Sequence, residues 1–167
     1  MKLIPLTQGK FAQVDDEDYE RINKYKWCAH KQPDTYYAVR TCIIKGKQVT
    51  LQMHREILLL DTLKESDLKL VCDHKSRNGL NNQKSNLRIC TKSQNLCNSK
   101  SRKNSTSKYL GVYKSINNKK YIYWVAGIQV NKTKIYLGCF KNEIDAAKAY
   151  NDAAVKYHGE FANINII

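Results

Sequence analysis

The 167-residue chain carries 29 Lys and Arg against 15 Asp and Glu, a formal net charge of +14, with 42% apolar residues and a mean hydropathy of −0.61. No window approaches the roughly 18 consecutive apolar residues of a membrane span. The apolar opening Met1–Leu6 turns polar at Thr7, which argues against a signal peptide and predicts an intracellular protein, cytoplasmic or inside a host cell, and not secreted.

The charge excess is confined. From His74 to Asn142 there are fifteen Lys and Arg and no Asp or Glu, while the rest of the chain is nearly neutral. A one-sign stretch of that length concentrates polyanions and releases counterions from phosphates. Tyr and Trp interleave with the lysines and no basic amphipathic helix is present, which favours nucleic acid over an anionic membrane. None of the six cysteines forms the C-x-x-C half of a zinc site, so reduced thiols are expected, with Cys72, Cys90 and Cys139 in apolar strand-like contexts packing inside as small hydrophobes.

Taken in order, Phe11–Val14 alternates as a short strand. Asp15-Asp16-Glu17-Asp18 opens a short helix through Tyr19, Ile22 and Tyr25, since carboxylates favour a helix N-terminus. Trp27 is the expected packing anchor. Tyr36–Ile44 and Gln48–Gln52 read as strands of a hairpin turning at Lys45-Gly46-Lys47. His54-Arg55 then opens an apolar helical run from Ile57 to Leu60. His30 and His158 have no partner pattern and are read as ordinary residues.

The stretch from Leu70 to Lys100 carries the chemistry. A short apolar run ends in Asp73-His74, an Asn-rich loop with Gly79 follows, then Asn86–Thr91, then a segment of helical spacing with Asn95 and Asn98. This predicts strand, loop, strand and short helix, an order that can bring Asp73, His74 and Asn95 to one polar site. Carboxylate and carboxamide oxygens suit Mg²⁺ or Mn²⁺ better than Zn²⁺. A neutral His beside them suits deprotonation of water near pH 7. Such a set hydrolyses phosphodiesters. On the triplet alone, an ordinary Asn-rich loop without metal remains the alternative.

Asp73-His74, Asn81-Asn82, Ser85-Asn86-Leu87-Arg88, Thr91 and Gln94-Asn95, with Asn98 beyond, together resemble the HNH endonucleases, in the branch of homing and nicking enzymes. The resemblance implies a ββα-metal finger in which His74 is the general base and Asp73 and Asn95 hold the cation. It makes Asn86 and Asn95 further catalytic residues, Asn86 by bracing the loop that aims His74. Asn95 stands where the family name has its last His, which favours an oxygen-ligated ion. His54-Arg55-x-Ile57 also resembles a pattern upstream of the motif in this branch, so His54 either contacts the site or DNA, or packs against the finger.

Ser99–Ser107 holds no apolar residue and reads as an extended linker whose Lys100, Arg102 and Lys103 lie along a phosphate backbone. Beyond it, strands over Tyr109–Ser115, Tyr121–Val130 and Lys134–Phe140 turn at Asn117-Asn118 and Asn131. Asn142 caps a helix with an apolar face of Ile144, Ala147, Tyr150, Ala153, Ala154 and Tyr157, stopping at Gly159. Gly111-Val112, Trp124–Ile128, Tyr136–Phe140, Asp145–Ala154 and Gly159–Asn165 resemble an AP2 DNA-binding domain. That family reads the major groove with sheet side chains pointing away from the helix. Trp124 is assigned to packing. The family's arginines are replaced by Leu110, Tyr113, Gln129 and Lys134, its acid by Gly127 and its Trp by Tyr136. DNA contacts are therefore expected from Tyr113, Lys114, Gln129, Lys134 and Tyr136, with no base preference implied.

The expected architecture is α+β: an N-terminal unit (1–60), a ββα finger (61–99), a basic linker (100–107) and an AP2-like domain (108–167). The expected function is a homing-type HNH endonuclease that uses Mg²⁺ or Mn²⁺ to nick one strand of double-stranded DNA. It is expected to act as a monomer on DNA, without a membrane or a small-molecule cofactor. A non-catalytic AP2-type regulator is the alternative; an RNA-binding protein is a further one.

Overall fold

The computed structural model describes residues 1–59, 70–99, 104–116 and 121–167. The chain divides into two compact units, Met1–Asn95 and Leu96–Ile167, built from small antiparallel sheets and few helices.

In the first unit, β1 (Lys2–Pro5) pairs with β2 (Phe11–Val14), α1 covers Asp16–Ile22, and β3 (Cys28–Lys31), β4 (Tyr36–Ile44) and β5 (Lys47–Gln52) form a three-stranded sheet. Helix α2 (Met53–Ile57) follows β5 directly. The β4–β5 turn has positive φ at both Lys45 and Gly46, the mirror-image two-residue turn that matches strand twist. Ile4, Val14, Ile22, Trp27, Met53 and Ile57 close one core, and the Trp27 indole donates to the Ile22 carbonyl at 2.9 Å. Trp27 is thus the anchor its size suggests. Strands β1 and β3 carried no alternation signal strong enough to be expected; each is four residues long and lies beside a partner strand.

The hairpin of β6 (Leu70–His74) and β7 (Leu87–Thr91) sets its Leu87 into that same core and leads into α3 (Lys92–Cys97). Thr91 and Gln94 start α3 as a reciprocal capping box. The Thr91 Oγ1 accepts from the Gln94 N–H at 3.3 Å, and the Gln94 Oε1 accepts from the Thr91 N–H at 2.9 Å.

In the second unit, β8 (Val112–Ile116), β9 (Ile122–Val130) and β10 (Thr133–Phe140) form a sheet in the order β10-β9-β8, covered by α4 (Glu143–His158). Asn142 caps α4 by accepting from Ile144 N–H at 2.7 Å, and Gly159, at φ 54°, ends it. Alanines 146, 147, 153 and 154 are buried, so the helix approaches the sheet closely. A Cβ on Gly111 would fall 2.0 Å from the Tyr150 ring, and φ there is 68°. The apolar face expected of α4 is narrower than predicted: Ile144 and Tyr157, in the first and last turns, are about two-fifths exposed. Ser107 also departs from the expectation that nothing in 99–107 is buried. Its hydroxyl donates to Glu143 at 2.7 Å and accepts from the Tyr109 N–H. Cys139, expected inside, is exposed, and no disulfide joins any of the six cysteines. None of the described helices is long and apolar enough to cross a membrane.

Candidate active site

The loop between β6 and β7 is fastened at nearly every step. Asn86 is the central brace: its Oδ1 accepts from Ser76 N–H at 2.9 Å, its Nδ2 donates to the Asn81 carbonyl at 2.7 Å, and its own carbonyl accepts from Lys75 N–H. Strand β2 holds the far side, with Gln13 exchanging backbone hydrogen bonds with Leu80 and Asn82, 2.8 Å each. Gly79 lies so close to β4 that an added Cβ would be 2.5 Å from the Tyr36 carbonyl oxygen and 2.6 Å from the Tyr37 ring. Its N–H donates to Thr35 Oγ1 at 3.0 Å.

The acidic start of α1 has an unexpected share in this. Asp15 makes no side-chain cap to its own helix; its carboxylate accepts from Lys84 N–H (2.7 Å) and Gln83 Nε2 (3.1 Å). The Lys84 ammonium reaches Glu17 at 2.6 Å and Asp18 at 3.3 Å, and the Glu17 contact leads in raising its pKa.

At the end of β6, Asp73 and His74 are both buried. The His74 Nε2 lies 3.3 Å from Asn82 Oδ1. Asn82 Nδ2 donates to the Leu80 carbonyl, which orients the amide and leaves its oxygen toward the ring. An amide oxygen can only accept, so this contact puts the proton on Nε2 and the basic lone pair on Nδ1. Burial lowers the His74 pKa, opposed by the Asn82 hydrogen bond and the Asp73 charge. The imidazole is therefore neutral at pH 7, as a base must be. Asn82, 1% exposed, is a site residue that sequence reasoning missed, although the Asn81-Asn82 pair was visible.

His54 packs edge-to-face on His74, ring centroids 4.9 Å apart, and Tyr37 lies against both at 5.5 and 5.6 Å. Its ring contact sets His54 against the hairpin and against the candidate base at once, so packing on the hairpin and contact with the site coincide in one residue. Its Nδ1 is buried without a hydrogen-bond partner. Burial pulls its pKa down to about 3, with the charges of His74 and Arg55 adding to the effect. Tyr37, His54 and Cys72 line an open cleft with Thr35 and Gln52. Burial pushes the Cys72 thiol up to about 12, which makes it unreactive, and raises the Tyr37 hydroxyl as well.

The Asp73 carboxylate accepts a hydrogen bond on Oδ2 from Arg88 Nε at 2.7 Å, and the same oxygen is ion-paired to Arg88 Nη2 at 2.6 Å. Asn95 stands exposed on α3. Among the described residues no three His, Cys, Asp or Glu gather as a metal cage. The Asp73 carboxylate and the Asn95 carboxamide are both hard oxygen donors, a donor type that suits Mg²⁺ or Mn²⁺ better than a soft transition metal.

In the second unit the strand register sorts the expected DNA contacts. Ala126, buried under α4, pairs with Val112 and Gly138, so the opposite face carries Tyr113, Gln129, Lys134 and Tyr136. Gln129 and Lys134 are direct cross-strand neighbours, and Tyr113 and Tyr136 are 51% and 67% exposed. Lys114 does not share this face: its register partner is Trp124, which packs toward the helix. Lys100, Arg102 and Lys103 lie outside the described residues, as do Asn117 and Asn118.

No family model matches the chain. It is 34% identical over 161 residues to an uncharacterized HNH endonuclease of Acanthamoeba polyphaga mimivirus, a match that covers 96% of this chain and 77% of that protein.

Proposed function

The chain belongs to the HNH endonuclease family, and from that premise we propose that it is a metal-dependent DNA endonuclease that nicks one strand of a duplex. The observation that carries this reading is the His74 imidazole: buried, neutral, oriented by Asn82 and adjacent to Asp73 on a loop braced by Asn86. In this reading the strands β6 and β7 with α3 are the ββα-metal finger. His74 takes a proton from the attacking water at Nδ1. Asn86 holds the loop that aims it, and Asp73 and Asn95 hold Mg²⁺ or Mn²⁺. When bound there, such a cation would supply Lewis-acid polarisation of the phosphodiester and charge neutralisation at the leaving oxygen.

The β8–β10 sheet with α4 is then an AP2-like module, with Tyr113, Gln129, Lys134 and Tyr136 facing the duplex. The basic stretch 100–107 adds backbone contacts, and the 1–60 segment supports the finger. One finger per chain suits a nick by a monomer. A non-catalytic DNA-binding regulator is the second reading, favoured by one observation: the Asp73 charge is already engaged by Arg88.

Supercoiled plasmid incubated with Mg²⁺ or Mn²⁺, with and without EDTA, separates the two. The nuclease reading expects nicked circles from the wild type, none with EDTA, and nicking slowed by about 10²-fold or more in His74→Ala. Identical, metal-independent behaviour of both proteins would reject it.

A further inference from the structure

Arg88 faces Asp73 directly across the β6–β7 ladder, where cross-strand side chains meet. Both nitrogens of its contact point at one oxygen, Asp73 Oδ2, and both side chains are withdrawn from solvent, 11% and 5% exposed. Charges at this depth are screened far less than a surface pair. A divalent cation approaching Asp73 therefore meets a carboxylate whose charge is spent and a guanidinium of its own sign. An arriving phosphodiester changes the balance, because it brings a negative charge and a two-oxygen edge that the guanidinium fork fits as well as a carboxylate. The expected Asp73 ligand is thus poor in the free protein and good on DNA.

We propose that Arg88 couples cation loading to DNA binding: it holds Asp73 until a backbone phosphate takes over its guanidinium. This rests on Asp73 being a cation ligand, as proposed above. The consequence is an enzyme that is armed only on its substrate, a use for an ion pair that stability alone would not require.

Mn²⁺ binding to the full chain, followed by the loss of the free-ion electron paramagnetic resonance signal, tests the coupling without any turnover. Without DNA, Arg88→Gln is expected to bind Mn²⁺ at least about tenfold more tightly than wild type, because a like charge is gone from the ligand's side. Adding Asp73→Asn to that variant should remove the gain. Arg88→Lys keeps the charge and loses the fork, so it should fall between wild type and Arg88→Gln; it carries the comparison if Arg88→Gln fails to fold. With a short mixed-sequence duplex, and with His74→Gln in every chain to block cutting, wild-type Arg88 should gain Mn²⁺ affinity and Arg88→Gln should gain little. Equal Mn²⁺ affinity at position 88 whatever its charge overturns the coupling, while Asp73-dependent Mn²⁺ binding on DNA would leave the nuclease reading standing. No Asp73-dependent binding in any arm overturns both.

Discussion

Six of the eight buried polar residues described, Asp18, His54, Asp73, His74, Asn82 and Asn86, belong to the first unit, whereas the second buries only Asn98 and Ser107. The second unit instead spreads Tyr113, Gln129, Lys134 and Tyr136 over an open sheet face. Burying a polar group is costly unless it is hydrogen-bonded, so the first unit invests stability in fixed geometry. The second invests almost none, and its exposed side chains are free to adapt to a partner. Preorganisation suits chemistry and exposure suits affinity. The contrast divides the labour: damage to the first unit should cost rate or folding, and damage to the sheet face should cost DNA binding alone.

The largest break in that contrast is His74→Ala. Loss of a general base should lower the nicking rate by about 10²–10⁴-fold, with the Kd for DNA, measured by fluorescence anisotropy, unchanged. An equal loss of affinity would mean that the two units do not divide the work.

A second test uses acid. His54 is held neutral down to about pH 3, and His74 is shifted the same way. Below the ordinary imidazole range near 6.5, the unfolded chain binds protons that the native state does not. Native stability therefore falls as pH drops from that value, by about 1.4 kcal/mol per pH unit for His54, with His74 acting in the same direction. Chemical denaturation of wild type and His54→Phe between neutral pH and pH 5 should show a shallower slope for the variant. Equal slopes would contradict the buried-imidazole account.

Gly79→Ala comes next. The added methyl meets the Tyr36 carbonyl and the Tyr37 ring, and overpacking of this kind costs about 1–3 kcal/mol. A lowered Tm should accompany a lowered nicking rate, because the displaced loop carries Asn82 and Asn86.

The smallest effect is expected at Lys134, exposed on the sheet face. Lys134→Ala should leave Tm and the nicking rate at saturating DNA unchanged while the log–log salt dependence of binding loses about one unit of slope. The same change at Lys114, on the other face of the sheet, should do less.

What could be read from the chain follows the range of each interaction. Strands β2 and β4 and the α4 cap depend on neighbours a few residues apart, and alternation, Gly46 and Asn142 announced them. The chemistry expected of Asp73 and His74 came from their residue types and spacing, and the part expected of Asn86 from the HNH resemblance alone. The remainder acts at a distance. Asp15 holds Lys84 across 69 positions, and Gly79 meets Thr35 across 44. His54 meets the His74 ring through tertiary packing, and no local periodicity encodes that. Thr91-x-x-Gln94 was local and could have been recognised as a capping box. Which side of the sheet Lys114 takes is set by its register with Trp124, and alternation along β8 alone does not say which side is which.

The central claim is that a carboxylate and a carboxamide from β6 and α3 close on one hard cation beside a basic imidazole. A crystal structure of the His74→Gln protein with a duplex and Mn²⁺ measures it directly. The account predicts an anomalous Mn²⁺ peak bonded to Asp73 and Asn95 oxygens at about 2.0–2.3 Å, with a phosphate oxygen in the same shell. Mn²⁺ bound elsewhere, or Asn95 turned away while DNA sits on the hairpin, would contradict it.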